Sequence, residues 1–361
     1  MALALAGFSA SAATTNYAGL IYSGSPNTSA KSGIFAMSVP ANQKFTGRML
    51  IGNRGASFSG RFDTNGAADI VVKIIVDNSC YDCDPPIIDI DTTKLWDVHF
   101  QLSPGGDTLS GTVHFRHGGF PDGTLAGKRS SFSFANPVPA PGRFTFALSG
   151  SGDPANTNFP TGNGVGAIIV APSGQVGFAG VLPDKLAFSL GTFLCDDGTF
   201  PVFDTLYNAK GMIQGWVGLT NSPDADVIGD VVWAKPNFAG RAFFPAGFTN
   251  DVPLVGSRYV QSKPLLNWTN GVVIFQGGKL SAPFTNNILL NAQGTVVNTS
   301  NNKLALKIQL SLGRFDGWVN NPVTGDRIPF VGAVLQNKNG GLGFFPEAPL
   351  TGEVMLGPAG P

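Results

Sequence analysis

Apolar and polar residues alternate along this chain in short runs. SGIFAMSV (32–39), KFTGRMLIG (44–52), LWDVHFQL (95–102), LSGTVHF (109–115), GRFTFAL (142–148), GQVGFAGVL (174–182), KGMIQGWVGL (210–219) and KLALKIQL (303–310) carry apolar residues at or near every second position. A period of two puts one face of an extended strand in a core and the other in solvent. Gly, Pro, Asn and Asp separate the runs and supply the dihedrals of tight turns. No stretch of ten or more residues carries the apolar spacing of an amphipathic helix. The pattern predicts an all-β fold of antiparallel strands joined by hairpins.

One phrase recurs inside these runs. Phe-x-Gly stands at Phe45/Gly47, Phe58/Gly60, Phe178/Gly180, Phe238/Gly240, Phe315/Gly317 and Phe330/Gly332. Residues i and i+2 of a strand share a face, so ring and glycine point the same way. The missing side chain leaves room for a ring and permits the tight coiling of a small barrel. GNRG (52–55) and NNPVTGD (320–326) read as turns. Phe45 and Phe58 therefore sit one hairpin apart, as do Phe315 and Phe330. Phe45, Phe58, Phe178, Phe315 and Phe330 are expected to point inward.

Three longer segments, 33–62, 164–193 and 303–335, each read strand, turn, strand, turn, strand. They suggest internal duplication into two or three tandem antiparallel β-barrels. The expected division is 1–13 as a leader remnant or tail, 14–138 as a first barrel and 139–361 as a second unit. ANPVPAPG (135–142) is the joint, and a further boundary falls near 262. The segment 235–264 reads as a loop within the second unit or as a second joint.

Composition narrows the partners. Charged residues make up 13% of the chain, about half the usual share of roughly 25%. The 23 basic and 23 acidic side chains cancel. Nucleic-acid binders usually carry a basic face, and nothing here points to one. Gly and Pro number 48 and 26, yet 43% of residues are hydrophobic and 28 are Phe, enough to build a core.

The N-terminus has a short apolar run followed by Ser9-Ala10-Ser11-Ala12-Ala13, which suits signal-peptide cleavage near Thr14. This predicts a protein that is secreted or held at the cell surface. In that compartment Cys80 and Cys83 of CYDC are expected to form a small-loop disulfide. Cys195 is expected to be a buried thiol. No stretch is apolar for the roughly 18 residues of a membrane helix. Polar outward positions such as Arg48, Arg61, Asp97, Gln101 and Asp316 speak against a lipid-facing barrel wall, so the chain is not expected to span a membrane.

Candidate chemistry is sparse. No nucleophile-elbow, zinc-protease or phosphate-loop motif is present. Pairing Leu102 with Leu109 would align Asp97 with His114 and His99 with Thr112 on one outer face, a small Asp/His cluster or an ordinary cross-strand pairing. DNSCYDCDPPIIDID (77–91) gathers Asp77, Asp82, Asp84, Asp89 and Asp91. Clustered carboxylates can ligate calcium, although the spacing is not that of an EF-hand. No cofactor other than calcium is indicated. Alternation turns Trp216 and Trp318 outward, the latter beside Arg314, Asp316 and Asn320. Such rings can stack on sugars, anchor a protein interface, or pack against another barrel.

YAGLIY (17–22), GRFTFAL (142–148), DGTFPVFDTLYNAKGMIQGW (197–216), FFPAGFTNDVPLVGSRY (243–259) and GWVNNPVTGDRIPFVGAVLQNKNGGLGFF (317–345) together resemble a repeated all-β module. That module is common at the C-terminal ends of large exported proteins from verrucomicrobia and their relatives. The resemblance implies a secreted or surface accessory domain and carries over no catalytic residue. The resulting expectation is a non-catalytic structural or interaction module whose partners are surface or extracellular proteins. The alternatives are a carbohydrate-binding module using its exposed tryptophans on a polysaccharide, and an uncharacterised extracellular hydrolase.

Overall fold

A computed structural model of the chain describes residues 14–23, 31–77, 91–116, 122–151, 153 and 155–360. Among them, alternating runs become strands and the turn clusters become their connections. The first eight are β1 (Thr15–Tyr22), β2 (Gly33–Val39), β3 (Lys44–Ile51), β4 (Arg54–Arg61), β5 (Ala67–Asp77), β6 (Asp91–Leu102), β7 (Thr108–Phe115) and β8 (Gly123–Ser130). The next eight are β9 (Gly142–Leu148), β10 (Gly164–Val170), β11 (Gln175–Val181), β12 (Ala187–Phe193), β13 (Thr199–Leu206), β14 (Gly211–Ser222), β15 (Ala225–Lys235) and β16 (Phe248–Arg258). The last are β17 (Asn270–Gly277), β18 (Phe284–Leu290), β19 (Val296–Asn298), β20 (Leu304–Gln309), β21 (Arg314–Asn320), β22 (Arg327–Leu335), β23 (Gly340–Glu347) and β24 (Leu350–Pro358). One short 3₁₀ turn, Gln336–Lys338, is the helical element among the described residues.

The strands form three eight-stranded antiparallel sheets. In each, neighbours in sequence pair and the first strand pairs with the last: β1 with β8, β9 with β16, β17 with β24. That closure curls each sheet into a barrel and removes most exposed edges. One seam per barrel lacks a paired register, with β4 beside β5, β12 beside β13 and β19 beside β20. The expected antiparallel barrels are present, and there are three.

The repeat is less regular than the sequence suggests. Segments 33–62 and 164–193 fill the second to fourth strands of their sheets. Segment 303–335 fills β20–β22, the fourth to sixth strands of the third sheet. The third seam also falls one strand earlier, after the short β19. The segment 235–264 is not one loop, because it contains β16, which closes the second barrel onto β9.

Rings fill the interiors. In the first barrel Phe45 lies 4.7 Å from Phe62, 5.8 Å from Phe100 and 6.2 Å from Phe58. In the second, Phe146 stacks on Phe178 at 4.7 Å. In the third, Phe275 stacks on Phe284 at 5.0 Å and meets Phe330 edge-on at 5.2 Å. Such packing adds aromatic contact to the burial of large apolar surfaces. Phe45, Phe58, Phe178, Phe315 and Phe330 are all buried, as expected. Phe238 is the exception: it lies between β15 and β16 and is 38% exposed, with Gly240 at φ 92°. Its glycine serves a turn rather than a strand face.

By compactness the chain forms two units, one holding the first sheet and the other holding the second and third. Within the latter, the two barrels are bonded to each other. Thr145 donates from Oγ1 to the Val334 carbonyl at 2.5 Å, and Asn163 donates from Nδ2 to Glu353 Oε1 at 2.7 Å. Val165, Ala333 and Phe344 form a small apolar cluster beside these bonds. Gly313, at φ 70°, fits between Thr145 and Tyr259, where any side chain would collide.

Candidate functional site

The outer face of β20–β22 carries Trp318. Strand alternation buries Phe315 and Val319 and turns the indole outward, opposite Ala305 on one side and Pro329 on the other. The ring is half-buried. The Arg327 guanidinium lies 4.0 Å from its centroid, a cation–π contact supplied by the residue paired with Asn320. Further along the strand, Arg314 Nε is 3.7 Å from Asp316 Oδ1, which also accepts a hydrogen bond from Gln309 Nε2. Trp318, Arg314 and Asn320 thus share one polar face with Asp316 and Arg327. Trp216 stands in a different sheet, on β14 opposite Pro201 and Asp230, and is also half-buried.

The first barrel has the register read from the sequence: Leu102 opposite Leu109, Asp97 opposite His114, and His99 opposite Thr112. The side chains do not converge. Asp97 takes a bidentate bond from Arg116 at 2.7 and 2.5 Å. His99 Nδ1 is 2.8 Å from Asp69, and His114 Nδ1 is 2.6 Å from Asp122. Among the described residues each of these side chains thus bonds to its own partner, with His114 acting on Asp97 through space. The Arg116 guanidinium holds the Asp97 carboxyl below its ordinary range. Among the described residues no three His, Cys, Asp or Glu side chains come together as a metal site.

Of the acidic loop, Asp77 and Asp91 are the terminal pair of the β5–β6 ladder. Asp82, Asp84 and Asp89, together with Cys80, Cys83 and His117, lie outside the described residues. Cys195 is buried.

Two features had no sequence signal. The first is a buried ion pair at one end of the second barrel. Lys235 Nζ meets Asp184 Oδ2 at 2.8 Å, with the two side chains 3% and 2% exposed. Tyr207 donates its hydroxyl to the same oxygen at 2.7 Å and accepts from Trp233 Nε1 at 3.0 Å. Burial, and then the neighbouring Asp184 carboxylate, raise the Tyr207 phenol far above its ordinary value. Asp184 precedes β12 and Lys235 ends β15, so only the closed barrel brings them together. The second feature is a polar trough of about 800 Å³ at the turns of the first barrel. Gln43, Asp63, Asn65, Gln101, Ser103 and Thr108 line it, with no aromatic ring among them.

No protein-family model matches the chain, and no curated protein sequence matches it. Among solved structures, it is similar to a transferrin binding protein B vaccine antigen double mutant from Haemophilus parasuis. The identity is 10% and the TM-score 0.22, over 95% of this chain and 75% of that one. It is also similar to intact Ap-TbpB, with N and C lobes, at 11% identity and TM-score 0.23, over 95% and 76%. At such scores the likeness carries no argument about what this chain does.

Proposed function

We propose that this chain is a non-catalytic interaction module of an exported or surface-attached protein, binding another protein through the outer face of its third barrel. The observation that carries the reading is Trp318. A half-buried indole sits on an otherwise polar strand face, with Arg327 stacked on it at 4.0 Å. Trp and Arg are the side chains most enriched where binding energy concentrates. The barrel interiors, filled with phenylalanine, leave outer faces and loops as the contact surfaces. The test is capture of extracellular and surface proteins from the native host by wild-type and Trp318→Ala chains, both fully folded at the assay temperature. A partner retained by both would remove Trp318 from the interface, and with it this reading.

Carbohydrate binding is the second reading, favoured by the amide- and hydroxyl-lined trough of the first barrel. Polysaccharides hydrogen-bond to such groups, but the trough offers no ring to stack on. A glycan array probed with wild type, Gln101→Ala and Trp318→Ala would separate the two surfaces. A signal lost only with Gln101→Ala would move the function to the trough.

A further inference from the structure

Between the second and third barrels lies a groove of about 320 Å³, which meets the Trp318 face at Arg314. The outer face of β10–β11 forms one wall through Val165, Ala167, Ala179 and Val181, and β22 forms the other through Val331 and Ala333. The bonds from Thr145 and Asn163 to the third barrel fix the two walls at this spacing. The volume lies at the low end of the roughly 300–1,000 Å³ of small-molecule sites. An apolar lining with a few polar groups is also the usual composition of such sites.

Two arginines complete the lining. Arg143, on β9, is half-buried, and among the described residues no carboxylate pairs with its guanidinium and no side-chain hydrogen bond holds it. Arg314 lines the same groove, and its nearest carboxylate, Asp316, is 3.7 Å away. A half-buried cation with no partner is costly, and a bound carboxylate would take its charge bidentately.

The walls also say what the rest of the ligand is. β10 pairs with β9 and β11, β11 with β10 and β12, and β22 with β21 and β23. Their backbone groups are already bonded along these ladders. A peptide laid here would bury amides with nothing to bond, a cost each of them would carry. A sugar would meet the same lack of partners. A plain hydrocarbon body has no such cost.

We infer that this groove binds a small apolar monocarboxylate, of the medium-chain fatty-acid class, with its head on Arg143 and Arg314 and its chain between β11 and β22. The experiment is calorimetric titration of the full chain with decanoate below its micelle concentration, with 1-decanol and an apolar heptapeptide as competing probes. The expected result is saturable one-to-one decanoate binding, with decanol at least tenfold weaker. Arg143→Gln should weaken decanoate at least tenfold. Ala179→Trp, which fills the groove from an exposed position, should abolish binding without lowering the melting temperature. Absence of saturable decanoate binding to wild type would overturn the inference. So would decanoate binding indifferent to both variants, decanol binding as tightly, or saturation by the peptide alone.

Discussion

Phe45 on β3 stands directly across from Gly60 on β4, and its ring fills the space above that glycine: a Cβ there would lie 2.5 Å from Phe45 Cζ. The relation is reciprocal. Phe58 stands across from Gly47 and covers it in the same way. The third barrel repeats the exchange with Phe315 across from Gly332 and Phe330 across from Gly317, the Phe315 ring lying over Gly332. The second barrel keeps half of it. Gly180 faces Phe188, while Phe178 faces Leu190. Phe45, Phe58, Phe188 and Phe315 thus each lie over a glycine of the neighbouring strand, so the barrel can coil tightly and still have a filled core.

Gly60→Ala should therefore destabilise the first barrel by about 1–3 kcal/mol, the cost of overpacking a filled core. The added methyl would also press on Ile70 Cγ2 at 2.8 Å. Gly55→Ala is the matched control on the same strand, since the nearest atom to its Cβ would be 4.0 Å away. Denaturant midpoints at unchanged slope should separate the two, and an equal loss at both sites would refute the ring-over-glycine account.

The Lys235–Asp184 pair makes a second prediction. Asp184→Asn leaves a buried ammonium without its counter-charge and should cost about 3–5 kcal/mol. The double change Asp184→Leu with Lys235→Met removes both charges and should cost less than Asp184→Leu or Lys235→Met alone. A double-mutant cycle by chemical denaturation measures this. Additive single effects would mean the two charges do not act as a pair.

Alkaline pH should act through Tyr207 and Tyr259. Burial raises the folded phenol of both above the ordinary value, and Asp184 adds to this at Tyr207. The unfolded chain loses these protons near pH 10, where the folded chain still holds them. Stability contributed by the raised values is fully present below that pH and falls as pH rises beyond it. Melting temperature should drop above about pH 10, and Tyr207→Phe should flatten the drop while lowering the neutral-pH value. A variant that keeps the full alkaline slope would exclude Tyr207 as its source.

The fold was legible where its cause is local. Period-two alternation marks strands such as β6 and β7 so firmly that Leu102 opposite Leu109 follows from the intervening turn. The side chains beyond that register were not legible. Asp97 lies opposite His114, yet its bond goes to Arg116, because a guanidinium offers two parallel donors and an imidazole one. Phe238/Gly240 shows the limit of a dipeptide signal, since nothing local tells a strand glycine from a turn glycine. The Asp184–Lys235 pair and the Arg143 groove had no signal. Their members meet only after β16 closes on β9 and the second and third barrels dock.

The final prediction concerns how firmly Trp318 is held. Its indole loses contact with Arg327 and with part of the sheet when replaced by Ala. A cation–π contact at an exposed site contributes about 0.5–1 kcal/mol. Half a ring's burial adds a comparable amount, so Trp318→Ala should cost about 1–2 kcal/mol in all. Arg327→Ala should cost less, because the ring keeps its place between Ala305 and Pro329. Equilibrium unfolding of both variants decides the matter. A loss near 3 kcal/mol or more at Trp318, the range of large-to-small core changes, would make the ring a packing element. A loss of about 1–2 kcal/mol, together with lost partner capture, would leave the indole as surface presented for contact.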